Sequence, residues 1–200
     1  AGILAHHVHG PGRLPGQRDE DLADALHRGH RVGRPRRGPP AARTPPGADP
    51  GRRQPDRCDL TGPTRIAFSA EVLTLLEAAS AEANRAIDCN LTDREIYGVE
   101  EFWTYPTRGV GDCEDLALYK REWLVERGLP RGALTIALVH HKASMDPHAV
   151  LLAETSEGTY LLDSLSDDIV IWSEAPYNFE ARERPDGSWE RFDQDIWTYE

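Results

Sequence analysis

Three features of this chain predict an α+β fold. An amphipathic helix pattern follows Ser69, a second helix opens at an acid-flanked cysteine, and a run of short β-rich segments comes after both. In the first helix, Val72, Leu73, Leu76, Ala79, Ala83 and Ile87 recur at spacings of three and four. That spacing makes one apolar face, and Ser69 is suited to cap it. Asn90-Leu91-Thr92-Asp93 reads as a turn or a new helix start. Residues 97–110 mix aromatics with turn formers and read as an ordered loop.

The second helix has a sharper start. Gly109-Val110-Gly111 breaks the chain and Asp112 takes the capping position. Cys113-Glu114-Asp115 form an acidic first turn, favoured at the positive end of the helix dipole. Leu116, Ala117, Lys120, Trp123, Leu124 and Arg127 continue the helix until Gly128 and Pro130 stop it. Strands are expected over Ala133–His141, His148–Glu154, Thr159–Asp163 and Ile169–Trp172. The second and third form a hairpin around Ser156-Glu157-Gly158, and Trp189–Phe192 reads as an edge strand.

Composition divides the 200 residues in two. Residues 1–57 hold 11 Arg, no Lys and 6 acidic residues, a net of +5, with 9 Pro, 9 Gly and no Phe, Trp or Tyr. Such a segment buries too little apolar area to offset its conformational entropy, so a disordered basic tail is expected. The same Arg/Pro/Gly/Ala bias is what a GC-rich upstream region gives when read in a wrong frame or from a wrong start. Residues 58–200 hold 12 basic and 28 acidic residues, a net of −16, and are expected to form the folded domain.

The whole chain is acidic, with net charge −11, which argues against sequence-independent nucleic-acid binding. No run of 18 apolar residues offers a transmembrane helix, and no signal peptide is visible in the chain. Three cysteines without a CxxC pair exclude a disulfide scaffold and a zinc ribbon.

Chemistry concentrates at Cys113, His148 and Asp163. A cysteine at a helix start has a dipole that favours its thiolate. It still needs a base, and the base needs an orienting acceptor. His148 begins one strand and Asp163 ends the next. Their numbers have an odd sum, so an even-length hairpin loop puts both side chains on one face. A cysteine helix packed on that face would complete a triad. Against this, a buried cysteine, a polar strand end and a turn-forming Asp are each ordinary. Asp112, Glu114 and Asp115 would raise the thiol pKa unless a hard cation joined them. A cap followed by dipole-matched acids explains the same residues. His140 and His141 read as sheet-edge residues.

The motifs Tyr97-Gly98-Val99-Glu100-Glu101-Phe102-Trp103-x-x-Pro106, Gly111-Asp112-Cys113-Glu114-Asp115-x-Ala117-x-x-Lys120-Arg121, Gly128-x-Pro130, His148-Ala149-Val150-Leu151, Leu162-Asp163-x-Leu165 and Trp172 occur in that order. Over residues 54–192 this resembles the bacterial transglutaminase-like cysteine peptidases, which include the LapG-type periplasmic proteases. The resemblance implies a papain-like or transglutaminase-like core, with Tyr177-Asn178-Phe179 through Trp189 as closing strands. It implies Cys113 as nucleophile, His148 as base and acid, and Asp163 as orienting carboxylate. It implies no cofactor for the chemistry itself, and calcium held by Asp112 and Glu114.

The function implied is thiol-dependent hydrolysis of a peptide bond in a surface or periplasmic protein, through an acyl-enzyme. A membrane-protein regulator is implied by the LapG-type relatives, and a periplasmic location follows from resemblance. The Cys113 N–H and Trp103 Nε1 are the oxyanion donors to test, though Trp103 equally suits the core. An amine-accepting transglutaminase or amidase, or a silent binding module on the same fold, are the alternatives. Two departures stand out. Ser164 replaces the frequent Asn after the triad Asp. Arg52-Arg53 replace a Phe-Cys element before Pro55-Asp56-Arg57-Cys58, so Cys58 is expected either unpaired or joined to Cys89.

Overall fold

The computed structural model describes residues 60–98, 102–106, 109–184 and 188–199. The tail and Cys58 lie outside the described residues. Helix α1 spans Ala70–Ala86 and is capped by the Ser69 hydroxyl, which accepts from the Val72 N–H. Its Ala, Leu and Glu content favours helix, and Leu76, Ala79, Ser80 and Ala83 form its buried stripe. Helix α2, Asp93–Tyr97, is a single turn whose Glu95 carboxylate reaches back to the Thr92 N–H. Helix α3, Cys113–Glu126, ends where Gly128 takes φ +92°, a left-handed conformation that favours glycine.

Six strands follow: β1 Leu134–His141, β2 Pro147–Thr155, β3 Gly158–Leu162, β4 Val170–Ile171, β5 Tyr177–Glu183 and β6 Trp189–Arg191. They make one antiparallel sheet in the order β4-β3-β2-β1-β5-β6. The β2–β3 hairpin pairs Thr155 with Gly158 across a two-residue loop, the even length the face argument needs. Trp172, expected in the fourth strand, instead opens a short 3-10 turn. β5 alternates buried and half-buried positions in its second half and inserts between β1 and β6. Its register against β1 shifts between Leu138 and Val139, leaving Glu180 in a bulge.

The helices cover one sheet face. Leu76 and Ala79 of α1 and Ala117, Leu118 and Leu124 of α3 pack on Leu134, Ile136, Leu151, Ala153 and Leu162. Each fully buried Leu or Ile in this layer contributes about 1.5–3 kcal/mol. The other face carries Ala137, Val139, Val150, Leu152 and Leu161 with Tyr177 and Phe179.

One buried ion pair joins helix layer to sheet. Arg121 of α3 bonds the Glu183 carboxylate at 2.5 Å, and the same oxygen accepts the Ile136 N–H at 2.8 Å. Both side chains are buried, so losing one partner strands the other charge away from water. Glu183→Ala is expected to destabilise the protein by about 3 kcal/mol. The paired change of Arg121→Met with Glu183→Leu is expected to cost much less, as read by urea unfolding at pH 7.

Candidate active site

Cys113 is set in place by its approach segment. After α1, the Asp88 N–H bonds the Gly109 carbonyl and the Gly111 N–H bonds the Asp88 carbonyl, a short parallel bridge. Gly111 then passes so close to α3 that a Cβ there would stand 2.8 Å from the Asp115 Cβ. Asp115 is wholly buried and accepts the Thr104 N–H at 2.7 Å, which anchors the 102–106 segment over the helix start. Cys113 is the first residue of α3 and Asp112 its N-cap. The Asp112 side chain makes no cap hydrogen bond, contrary to expectation; it turns toward other acids instead.

The environment of the thiol opposes ionisation. Burial pushes the Cys113 pKa up, the Glu114 charge and hydrogen bond add to it, and Asp112 contributes further. The Ala149 N–H acts the other way. The thiol donates to Glu114 Oε2 at 3.1 Å.

His148 and Asp163 meet as the hairpin arithmetic predicts. His148 Nε2 lies 2.8 Å from Asp163 Oδ1. Asp163 also accepts the Leu165 N–H on Oδ1 at 3.0 Å and the Tyr177 hydroxyl on Oδ2 at 2.5 Å. Burial works against its charge, but the bonds from His148, Leu165 and Tyr177 outweigh it and hold the carboxyl below its ordinary value. An ionised carboxylate only accepts, so Nε2 carries the proton in this pair. In the neutral ring Nδ1 is then the free lone pair.

The expected face was half right. Strand alternation aligns His148 with Val150 and Leu152, and Asp163 with Leu161, so the two do share a face. That face is the one opposite α3, which packs on Leu151, Ala153 and Leu162. Cys113 therefore approaches at the end of the sheet, where its sulfur meets the N–H of Ala149, the residue after His148. His148 is only the second residue of β2, so it too stands at that end of the sheet.

The acidic cluster gains a member that sequence reading missed. Asp93 of α2 joins Asp112 and Glu114, with one carboxylate oxygen from each inside 4.8 Å of the others. Burial, then Glu114 and Asp93, push Asp112 up to about 8, and burial raises Asp93 too. Buried oxygens Asp93 Oδ1, Asp112 Oδ1 and Asp115 Oδ2 have no hydrogen-bond partner among the described residues. An all-oxygen, crowded and under-satisfied acid group fits a hard cation. Asp93 looked like an ordinary first-turn acid; its only local signal was the acid itself.

Trp103 is buried in the cluster against which Cys113 packs, its ring edge-on to Trp189 at 5.8 Å. His140 and His141 end β1, a central strand rather than an edge. His140 bonds Glu180 at 2.9 Å and His141 lies edge-on to Tyr177. Neither forms a hydrogen bond with Cys113, His148 or Asp163. Cys89 forms no disulfide with a described residue.

Comparison with known proteins adds the family. No curated protein matches the chain. The calcium-bound LapG of Legionella pneumophila is 26% identical with a TM-score of 0.52, covering 62% of this chain and 74% of that one. The EGTA-treated form of the same protein is 26% identical with a TM-score of 0.51, covering 64% and 72%. The family model described as bacterial transglutaminase-like cysteine proteinase matches residues 49–196, and the chain belongs to that family.

Proposed function

We propose that this chain is a thiol peptidase that cuts a peptide bond in a protein substrate through an acyl-enzyme on Cys113. The observation that carries the reading is the His148–Asp163 bond beside a cysteine at a helix start. Asp163 holds the Nε2 proton, and His148 Nδ1 takes the thiol proton. The thiolate attacks the scissile carbonyl carbon, and the oxyanion forms against the Cys113 N–H, which has no intrahelical acceptor in a first turn. Trp103 Nε1 is the second donor of this reading. His148 then protonates the leaving amine, which departs as the acyl-enzyme forms. Water, deprotonated by His148, releases the acid product.

Asp93, Asp112 and Glu114 are the residues that would hold calcium. Bound calcium supplies positive charge that offsets the carboxylates around the thiol. Glu114 accepts the thiol's hydrogen bond, and burial with the Glu114 and Asp112 charges pushes the Cys113 pKa up. The calcium-bound and EGTA-treated structures of Legionella pneumophila LapG support a calcium ion in this reading, and the crowding of the three acids supports its place. A periplasmic site of action and control by a membrane protein rest on resemblance to the LapG-type proteases. Among the described residues no helix is long and apolar enough to cross a membrane.

Iodoacetamide labelling of the calcium-loaded protein at pH 6 tests the triad before any substrate is known. Cys113 is expected to react at least about tenfold faster than Cys89, and His148→Ala is expected to remove the difference. Equal rates in the wild type would overturn the reading. Calcium is expected to raise Tm at pH 7 by about 5 °C at saturating concentration, and Asp93→Ala to abolish the rise. Asp163 has a lowered folded pKa, so its ionised form stabilises the fold above the ordinary carboxylate value of 3.8 and that stability is lost as pH falls below it. Wild type is therefore expected to exceed Asp163→Asn by about 2 kcal/mol at pH 6, with the gap closing toward pH 2 in urea titrations.

A further inference from the structure

Lys120 is a buried ammonium, 1% exposed in the middle of α3. Among the described residues it forms no direct salt bridge; burial pushes its pKa down, and the Asp163 and Asp167 charges act the other way. It lies seven residues after Cys113, two turns along the same helix face. Its Nζ donates to the backbone carbonyl of Asp163. Two side chains of α1 converge on that same oxygen, Asn84 Nδ2 at 3.1 Å and Ser80 Oγ at 3.4 Å. Asn84 also bonds the Ser166 carbonyl at 3.2 Å and Asp167 Oδ1 at 2.8 Å, so it closes the loop behind Asp163.

A carbonyl oxygen has two lone pairs, and three side-chain donors from two helices point at this one. A buried charge is costly to keep, and an apolar residue of similar volume often serves stability as well or better. Core filling alone gives no reason for an ammonium here; what it faces is Asp163, through both the carbonyl it bonds and the charge of the carboxylate. The carboxylate of the same residue, Asp163, is bonded to His148 and Tyr177. The backbone that Lys120 grips sets where that carboxylate stands.

We propose that Lys120 is a positioning residue that ties the helix carrying Cys113 to the Asp163 carbonyl, and so sets the Asp163 carboxylate against His148, with Asn84 closing the loop. Its bearing on catalysis rests on the triad reading above; its bearing on the His148–Asp163 bond does not. The α3 helix, held at Cys113 and at Asp163, fixes the two ends of the triad to one rigid rod.

The test uses the full chain labelled with ¹⁵N-histidine. Imidazole nitrogen shifts of His148 at pH 7 are compared in wild type, Lys120→Met and Asn84→Ala, beside thermal unfolding and the Cys113 iodoacetamide rate. Lys120→Met removes the buried charge at similar volume and is expected to stay folded, as read by thermal unfolding. It is nevertheless expected to lose the fixed Nε2–H signature and to slow Cys113 alkylation about 10- to 100-fold. Asn84→Ala is expected to move both readouts in the same direction by a smaller factor. A folded Lys120→Met with the wild-type tautomer and rate overturns the proposal. If Lys120→Met does not fold, an unchanged tautomer and rate in Asn84→Ala overturns it. If the wild type lacks His148-dependent alkylation, the catalytic reading fails while the tautomer comparison still decides what Lys120 does.

Discussion

The architecture turns on one residue bonded at both ends. Asp163 leaves the sheet with its carboxylate in the layer of Tyr177 and its carbonyl in the layer of the helices. Neither layer alone holds the geometry of the site. The hydrophobic packing of α1 and α3 on the sheet is non-directional and sets distances only loosely. Hydrogen bonds of defined length to one backbone unit convert that packing into a fixed orientation. Removing water from this region also makes each bond count for more, because the surrounding dielectric is low.

The acidic helix start shows the opposite economy. Asp115 and Asp93 are buried and Asp112 half-buried, each with an unsatisfied buried oxygen and a raised pKa, an arrangement that costs stability. The same carboxylates fasten the 102–106 segment, since Asp93 accepts the Phe102 N–H and Asp115 accepts the Thr104 N–H. Acids used as backbone acceptors thus organise the approach to Cys113 even before any cation is considered.

How much of this was legible in sequence depends on range. The capped start of α1, the break before Cys113 and the stop at Gly128 are local events, and local residue chemistry encodes them. The shared face of His148 and Asp163 was legible because strand period is two and the hairpin loop is short. β5 was recognised through resemblance: Pro176 and the Pro185-Asp186-Gly187 turn signal bound it in sequence, but the polar residues between them show no clean apolar alternation. The face on which α3 packs was misjudged because residue spacing says which side of a helix is apolar, not which side of a sheet receives it. Asp93, Tyr177 and Lys120 escaped for a similar reason. Each acts through a contact distant in sequence, and a side chain that will be buried and bonded there looks locally like a solvated acid, a strand aromatic or a helix-surface lysine.

The bulge at Glu180 has a consequence for how one strand serves two layers. Beyond it, Ala181 and Glu183 sit beside Leu138 and Ile136 and reach the helices through Arg121. Before it, Phe179 and Tyr177 sit beside Val139 and His141, and Tyr177 reaches Asp163 on the far side. The extra residue works like a half-twist in a ribbon: it swaps inside and outside midway, so odd-numbered positions point one way in the first half of β5 and the other way in the second. Deleting that single residue would restore a regular ladder and turn Tyr177 away from Asp163 while leaving composition, hydrophobicity and strand length almost untouched. Insertions and deletions in β5 are thus constrained by parity, a kind of reading frame written in space.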